Sequence, residues 1–288
     1  MLRIIIDSAS DISRQQAEAW DITVLPLTVR FGEEEYLDGV TITPSEFYDR
    51  LIETDTLPKT SQVPPAQYGA VFAEVKAQGD EAVVLCLSSE LSGSFQSACI
   101  AAAEYEDCVT VIDSREVCCG LWVLAALAVR LRAQGKTRGE MAQELRRQAE
   151  RVQVIALFDT LEYLKLGGRI STAAALAGGI LSLKPVLTIR DGKVLAIGRA
   201  RGSRNGNNML MEYVREHGGI DFAMPLCVAW SGNSDELARK YIEDSRSLYE
   251  GYEEEIPMIR VGSTIGTYAG PGAVALAFFP AAEPAKEK

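Results

Sequence analysis

At 288 residues, with 47% hydrophobic and 24% charged side chains, the chain has material for two ordinary globular domains and a sizeable core. Its 40 acidic against 29 basic residues leave a formal net charge of −11, which repels a phosphate backbone and an anionic bilayer and argues against nucleic-acid binding. Three isoleucines before Asp7 are too few for the apolar region of a signal peptide, and no run approaches the roughly 20 apolar residues of a membrane span, so a cytoplasmic protein without stable membrane insertion is expected.

Residues 3–6 read as a short apolar strand, 13–20 as a helix, and the β-branched stretch 22–31 as one extended segment. Thr43-Pro44-Ser45-Glu46 is a capping box with proline at the first helical position, which predicts a helix to about residue 53. Pro64-Pro65 opens a second helix to about 78. A buried strand is expected at 81–87, a small-residue helix at 94–105 and a strand at 109–112. Residues 116–133 read as a buried helix, and the capping box Thr137…Glu140 starts another that runs to about 151. Strands alternating with helices imply a parallel sheet covered on both faces, a three-layer α/β/α domain over residues 1–155.

The remainder, 156–288, has a different texture. A strand spanning the boundary at 154–158 leads into a short helix from Thr160 that Gly167-Gly168 stops. Arg190-Asp191-Gly192-Lys193 is a hairpin signal between strands at 187–189 and 194–197. Helices at about 203–217 and 233–247 and strands at 224–230, 256–261 and 273–279 complete an α/β domain with a mixed sheet. The polar tail 281–288 is expected to fray.

Hydroxyls and carboxylates gather where strands end: Asp7-Ser8-Ala9-Ser10-Asp11, Ser88-Ser89 through Ser92-Gly93-Ser94, Asp113-Ser114, and the pre-helical Thr60-Ser61-Gln62. Each is an ordinary N-cap by composition. Ligands of open α/β sheets, however, sit beyond the carboxyl ends of the strands, and hydroxyls beside helix N-termini suit an oxyanion. Nucleophilic catalysis has little support. Ser92-Gly93 lacks the G-x-S-x-G elbow, and the one histidine, His217, lies where a helix ends before Gly218-Gly219. A single histidine also argues against imidazole-rich metal sites, and the six cysteines form no C-x-x-C pair. They read as reduced core thiols, and neither metal nor cofactor is expected.

In order along the chain, these segments resemble the DegV family. The resemblance runs from residue 2 to about 279. Its specific blocks are Leu87-Ser88-Ser89-Glu90-Leu91-Ser92-Gly93-Ser94 and Gly167-Gly168-Arg169-Ile170, with Thr60-Ser61-Gln62-Val63-Pro64, Leu183-Lys184-Pro185 and Gly270-Pro271-Gly272-Ala273 in support. The resemblance implies a two-domain DegV-like fold that holds a long-chain fatty acid at the seam and has no catalytic residues of its own. A fatty acid kinase would bind transiently and convert the presented acid to an acyl phosphate for phospholipid synthesis. By position, Thr60 and Ser92 would hydrogen-bond the carboxylate, with Ser61, Gly93, Ser94 and Tyr268 around them, and Arg169 would stand at the headgroup and the docking face. Tyr268 departs from the histidine common in the family at that place: it keeps a donor but carries no positive charge near neutral pH. The competing readings are a lipid carrier or sensor without a kinase, and a serine-dependent hydrolase using Ser92.

Overall fold

The computed structural model describes residues 1–54, 57–170 and 183–281. Strands β1 (Leu2–Asp7), β2 (Ile22–Leu25), β6 (Glu81–Cys86) and β7 (Val109–Asp113) form a parallel sheet in the order β2-β1-β6-β7. Ile4, Ile5 and Ile6 are all fully buried, as are Val83, Val84 and Leu85, so both faces of the sheet are covered. The cover comes from α3 (Pro65–Ala77), α4 (Ser94–Ala102), α5 (Cys119–Ala133) and α6 (Arg138–Ala149), while α1 (Arg14–Trp20) packs on the edge strand β2. This is the expected three-layer α/β/α arrangement.

The second sheet is mixed. Strands β8 (Gln153–Leu157), β9 (Leu183–Arg190), β10 (Lys193–Arg201), β11 (Cys227–Trp230), β12 (Met258–Arg260) and β13 (Val274–Phe278) run in the order β10-β9-β8-β13-β11-β12. Only β11 and β12 pair in parallel. Helices α8 (Gly202–Glu216) and α9 (Glu236–Asp244) pack on it. The β9–β10 hairpin turns at Asp191-Gly192, both at positive φ, and its strands are longer than the expected 187–189 and 194–197.

The helix α5 joins the two sheets. Eleven of its residues are buried, Cys119 through Ala128 without a break, so over that stretch it has no solvent face to make it amphipathic. It packs on β1 of the first sheet and on β8, β11 and β13 of the second. One hydrophobic core accordingly runs from Ile5 and Val84 through Leu121 and Leu124 to Ala229 and Phe279.

Two features depart from the sequence reading. Residues 22–31 are not one strand. Leu25 is the last residue paired to β1, Pro26 offers no N–H to continue the ladder, and the chain re-enters as β3 (Thr28–Phe31) in a separate antiparallel sheet. That sheet, β4-β3-β5, adds β4 (Glu34–Leu37) and β5 (Lys59–Ser61), with α2 (Pro44–Glu53) packed beside it through Phe47, Tyr48 and Leu51. The second departure is α10 (Ser263–Ala269), which no local signal announced. Its N-terminus is capped from elsewhere: the Asp38 carboxylate accepts the backbone N–H of Ser263 at 3.0 Å and of Thr264 at 3.3 Å. From residue 282 onward, the polar tail lies outside the described residues.

Candidate functional site

A cavity of about 420 Å³ lies where the three sheets meet. Its inner walls are Val154 and Ala156 of β8, Leu187 of β9, Ala275 of β13 and Ala229 of β11, with Cys118 and Cys119 from the start of α5. Hydrogen bonding and burial push the Cys118 thiol well above its usual range, so it stays protonated and behaves as an apolar wall. The volume falls within the range of small-molecule pockets.

One end of the cavity is lined by hydroxyls. Thr60 and Ser61 arrive on β5, Ser92 and Gly93 on the loop before α4, and Tyr268 on α10. The Thr60 Oγ1 lies 2.6 Å from the Tyr268 hydroxyl, joining residues 208 positions apart. Ser94 is fully buried behind the lining, unlike the half-buried Ser92. Its Oγ accepts the Val63 N–H at 3.3 Å and sits 3.1 Å from the Ser92 Oγ, which itself accepts the Ser94 N–H at 3.3 Å. A buried hydroxyl hydrogen needs an acceptor, and Ser92 supplies it when Ser94 donates; the Ser92 O–H is then free to donate toward the cavity.

The glycines of this region explain themselves by what touches them. The Tyr268 ring lies on Gly167, and the Tyr163 ring of α7 (Glu162–Leu166) lies on Gly270, so the two helices interlock tyrosine on glycine in both directions. Gly270 also holds φ +64°, a conformation open to glycine. A Cβ at Gly93 would collide with the Gln62 side chain, whose Nε2 donates to Ser97 at 2.6 Å. Gln62 therefore ties β5 to α4 and sets Thr60 across from Ser92; the sequence placed it in the hydroxyl-rich cluster but gave it no part in the site.

Arg169 is exposed at the mouth of the cavity. Its guanidinium stands 5.0 Å from the centroid of the Tyr268 ring, its Nη1 donates to Gly167 O at 2.8 Å and its Nε to Leu91 O at 3.4 Å. The hairpin tip is fixed nearby. The Ser88 Oγ donates to Gly192 O at 2.7 Å, Lys193 pairs with Glu90 at 3.3 Å, and Val194 closes that side of the cavity. Behind this loop the Asp7 carboxylate accepts the Leu87 N–H at 2.7 Å and the Ala9 N–H at 3.1 Å. Burial nevertheless pushes its carboxyl up to about 7.

His217 ends α8, with its Nδ1 2.8 Å from Tyr213 O and its ring stacked on Tyr213. Among the described residues all six cysteines are free, and no group of three or more His, Cys, Asp or Glu is placed to hold a metal ion. Nor is any described helix long and apolar enough to cross a membrane. The site can thus offer several hydroxyl hydrogen bonds to a polar head while its apolar interior takes a chain.

The family model described as "Uncharacterised protein, DegV family" matches residues 1–281. The chain belongs to the DegV family. A DegV domain-containing protein of Deinococcus radiodurans is 34% identical over 97% of this chain and 98% of its own. Among solved structures, a DegV family protein from Thermus thermophilus, described for its fatty acid binding, superposes with a TM-score of 0.87 at 31% identity and covers 96% of this chain and 99% of its own. A stearic acid-binding protein from Eubacterium ventriosum gives the same TM-score at 28% identity, over 97% of this chain and 98% of its own. The mixed α/β architecture read from the sequence is the DegV fold.

Proposed function

We propose that this DegV family protein binds a long-chain fatty acid in the cavity between its sheets, with the carboxylate at the hydroxyl-lined end and the acyl chain against β8, β9, β11 and β13. The observation that carries this reading is the cavity itself: one pole of hydroxyls, and an interior that is mostly apolar, with Thr188 and Thr264 set among its Val, Ala, Leu, Ile, Phe and Cys side chains. The likeness to fatty-acid-binding relatives supports it. Burying about 14 methylenes at roughly 0.8 kcal/mol each is worth on the order of 11 kcal/mol gross, of which association takes several. The chain therefore supplies affinity, and Thr60, Ser92 and Tyr268 set orientation. Ser61 and Gly93 complete the rim, and Ser94 acts by holding Ser92. Residues 1–155 and 156–288 serve as the two domains whose seam is the cavity.

The finer reading is that a fatty acid kinase docks at Arg169 and phosphorylates the presented carboxylate to an acyl phosphate, catalysis being the kinase's. The position of Arg169, exposed at the mouth and able to pair with phosphate, supports it. A hydrolase using Ser92 is disfavoured by the partner of that hydroxyl, which is Ser94 and not a base. The test is organic extraction of purified protein with mass spectrometry, followed by calorimetry of the delipidated chain. One fatty acid per chain and rebinding are expected. No extractable lipid and no heat of binding would overturn the proposal.

A further inference from the structure

The side chains that form the hydroxyl-lined end of the cavity carry no charge. Resting on the fatty-acid reading above, we infer that this site takes uncharged acyl ligands, fatty amides and fatty alcohols, about as well as it takes a fatty acid carboxylate.

The side chains at the head end are the hydroxyls of Thr60, Ser61, Ser92 and Tyr268, with the Gln62 amide alongside. Hydroxyls donate and accept by rotating about one bond. The Ser92 O–H, left free by its arrangement with Ser94, can donate to a carboxylate oxygen, an amide carbonyl or an alcohol oxygen alike. The Thr60–Tyr268 pair, in which either oxygen can be donor, presents an acceptor to an amide N–H or an alcohol O–H and a donor to a carboxylate.

Among the described lining residues, charge enters from one side chain. Arg169 is the single basic residue among the described residues that line the cavity, and the sequence 171–182 that follows it contains none. Two of its N–H groups go to the carbonyls of Gly167 and Leu91, and its guanidinium lies over the Tyr268 ring. It is exposed, so solvent and salt screen its field. A carboxylate at Thr60 and Ser92 thus meets neutral donors. Half-buried hydroxyls at the mouth leave it partly hydrated, which spares it a large desolvation cost as well.

The test compares hexadecanoate with its primary amide, identical in chain length, by titration calorimetry against the delipidated full chain at pH 7 and physiological salt. Dissociation constants within about threefold of each other are expected. A charge-assisted contact contributes on the order of 1.5–3 kcal/mol, so a charge-reading site would favour the carboxylate by about tenfold or more. That gap would overturn the inference while leaving fatty-acid binding intact. Failure of both ligands to bind would overturn the fatty-acid reading and this inference with it.

Discussion

Thr60→Val is the substitution that probes the head end most directly. Valine keeps the branched shape of threonine, so the wall of β5 and its packing stay as they are. What is lost is one hydroxyl, at 2.6 Å from the Tyr268 hydroxyl and on the cavity lining. Two costs follow: the ligand head loses a hydrogen-bond partner, and the half-buried Tyr268 hydroxyl loses its own. Together they should weaken fatty-acid binding by about 1–3 kcal/mol, or roughly 5- to 150-fold in Kd. Tyr268→Phe removes the other member of the pair and should cost on the order of 1 kcal/mol. If the two hydroxyls act as one unit, the double variant should bind less weakly than the sum of the single losses predicts, with a coupling of about 0.5–2 kcal/mol. Calorimetry on the four proteins, delipidated and at one pH, measures the cycle. A Thr60→Val protein that binds within twofold of wild type would refute the reasoning. So would strictly additive losses, which would mean that the Thr60–Tyr268 contact plays no part in holding the head.

Further outcomes are expected. Ser92→Ala strands the Ser94 O–H and removes a head donor, so binding should weaken by about 1–3 kcal/mol in the same assay; unchanged binding would reduce Ser92 to a helix cap. Arg169→Ala should leave fatty-acid affinity within about tenfold while kinase-coupled turnover falls much further; equal small losses in both would reject docking at this arginine. Gly270→Ala puts a Cβ into the Tyr163 ring at φ +64°, and should lower unfolding stability by about 2–4 kcal/mol in urea titrations, an effect that a shift under about 0.5 kcal/mol would contradict. The Asp7 carboxyl, pushed up to about 7 by burial, holds a proton in the folded chain that the unfolded chain releases near 4. Its contribution is therefore full below about pH 4 and lost as pH rises through about 7, so the urea midpoint should fall across that window and Asp7→Asn should flatten the slope; parallel slopes would refute the assignment.

Much of the architecture was legible because its causes are local. The capping boxes at Thr43…Glu46 and Thr137…Glu140 form as read, each threonine accepting the third helical N–H and each glutamate reaching back. Asp191-Gly192 turns the hairpin because those two residues accept positive φ at low cost. The parallel sheet followed from strands of uninterrupted Ile and Val, which only a doubly covered sheet can bury. The hydroxyl-rich loops could be listed from the sequence, but each one alone was indistinguishable from an ordinary helix cap.

What the tertiary structure alone decided depends on partners remote in the chain. The α10 helix begins where Asp38 caps it from 225 residues away, so residues 263–269 carry no start signal of their own. The small sheet β4-β3-β5 exists because Pro26 ends one ladder and Lys59–Ser61 arrive to continue another, and that pairing is what brings Thr60 to the cavity. Gln62 was grouped with Thr60 and Ser61 but given no role, because its role is to lie on Gly93 and bond Ser97, residues set beside it by packing alone. Propensity, capping and turn chemistry act over a few residues and can be read in order. A cavity is a volume left between elements, and the hydrogen bond between Thr60 and Tyr268 that marks its head end is set only when two sheets have closed on α5 and the third has met α10.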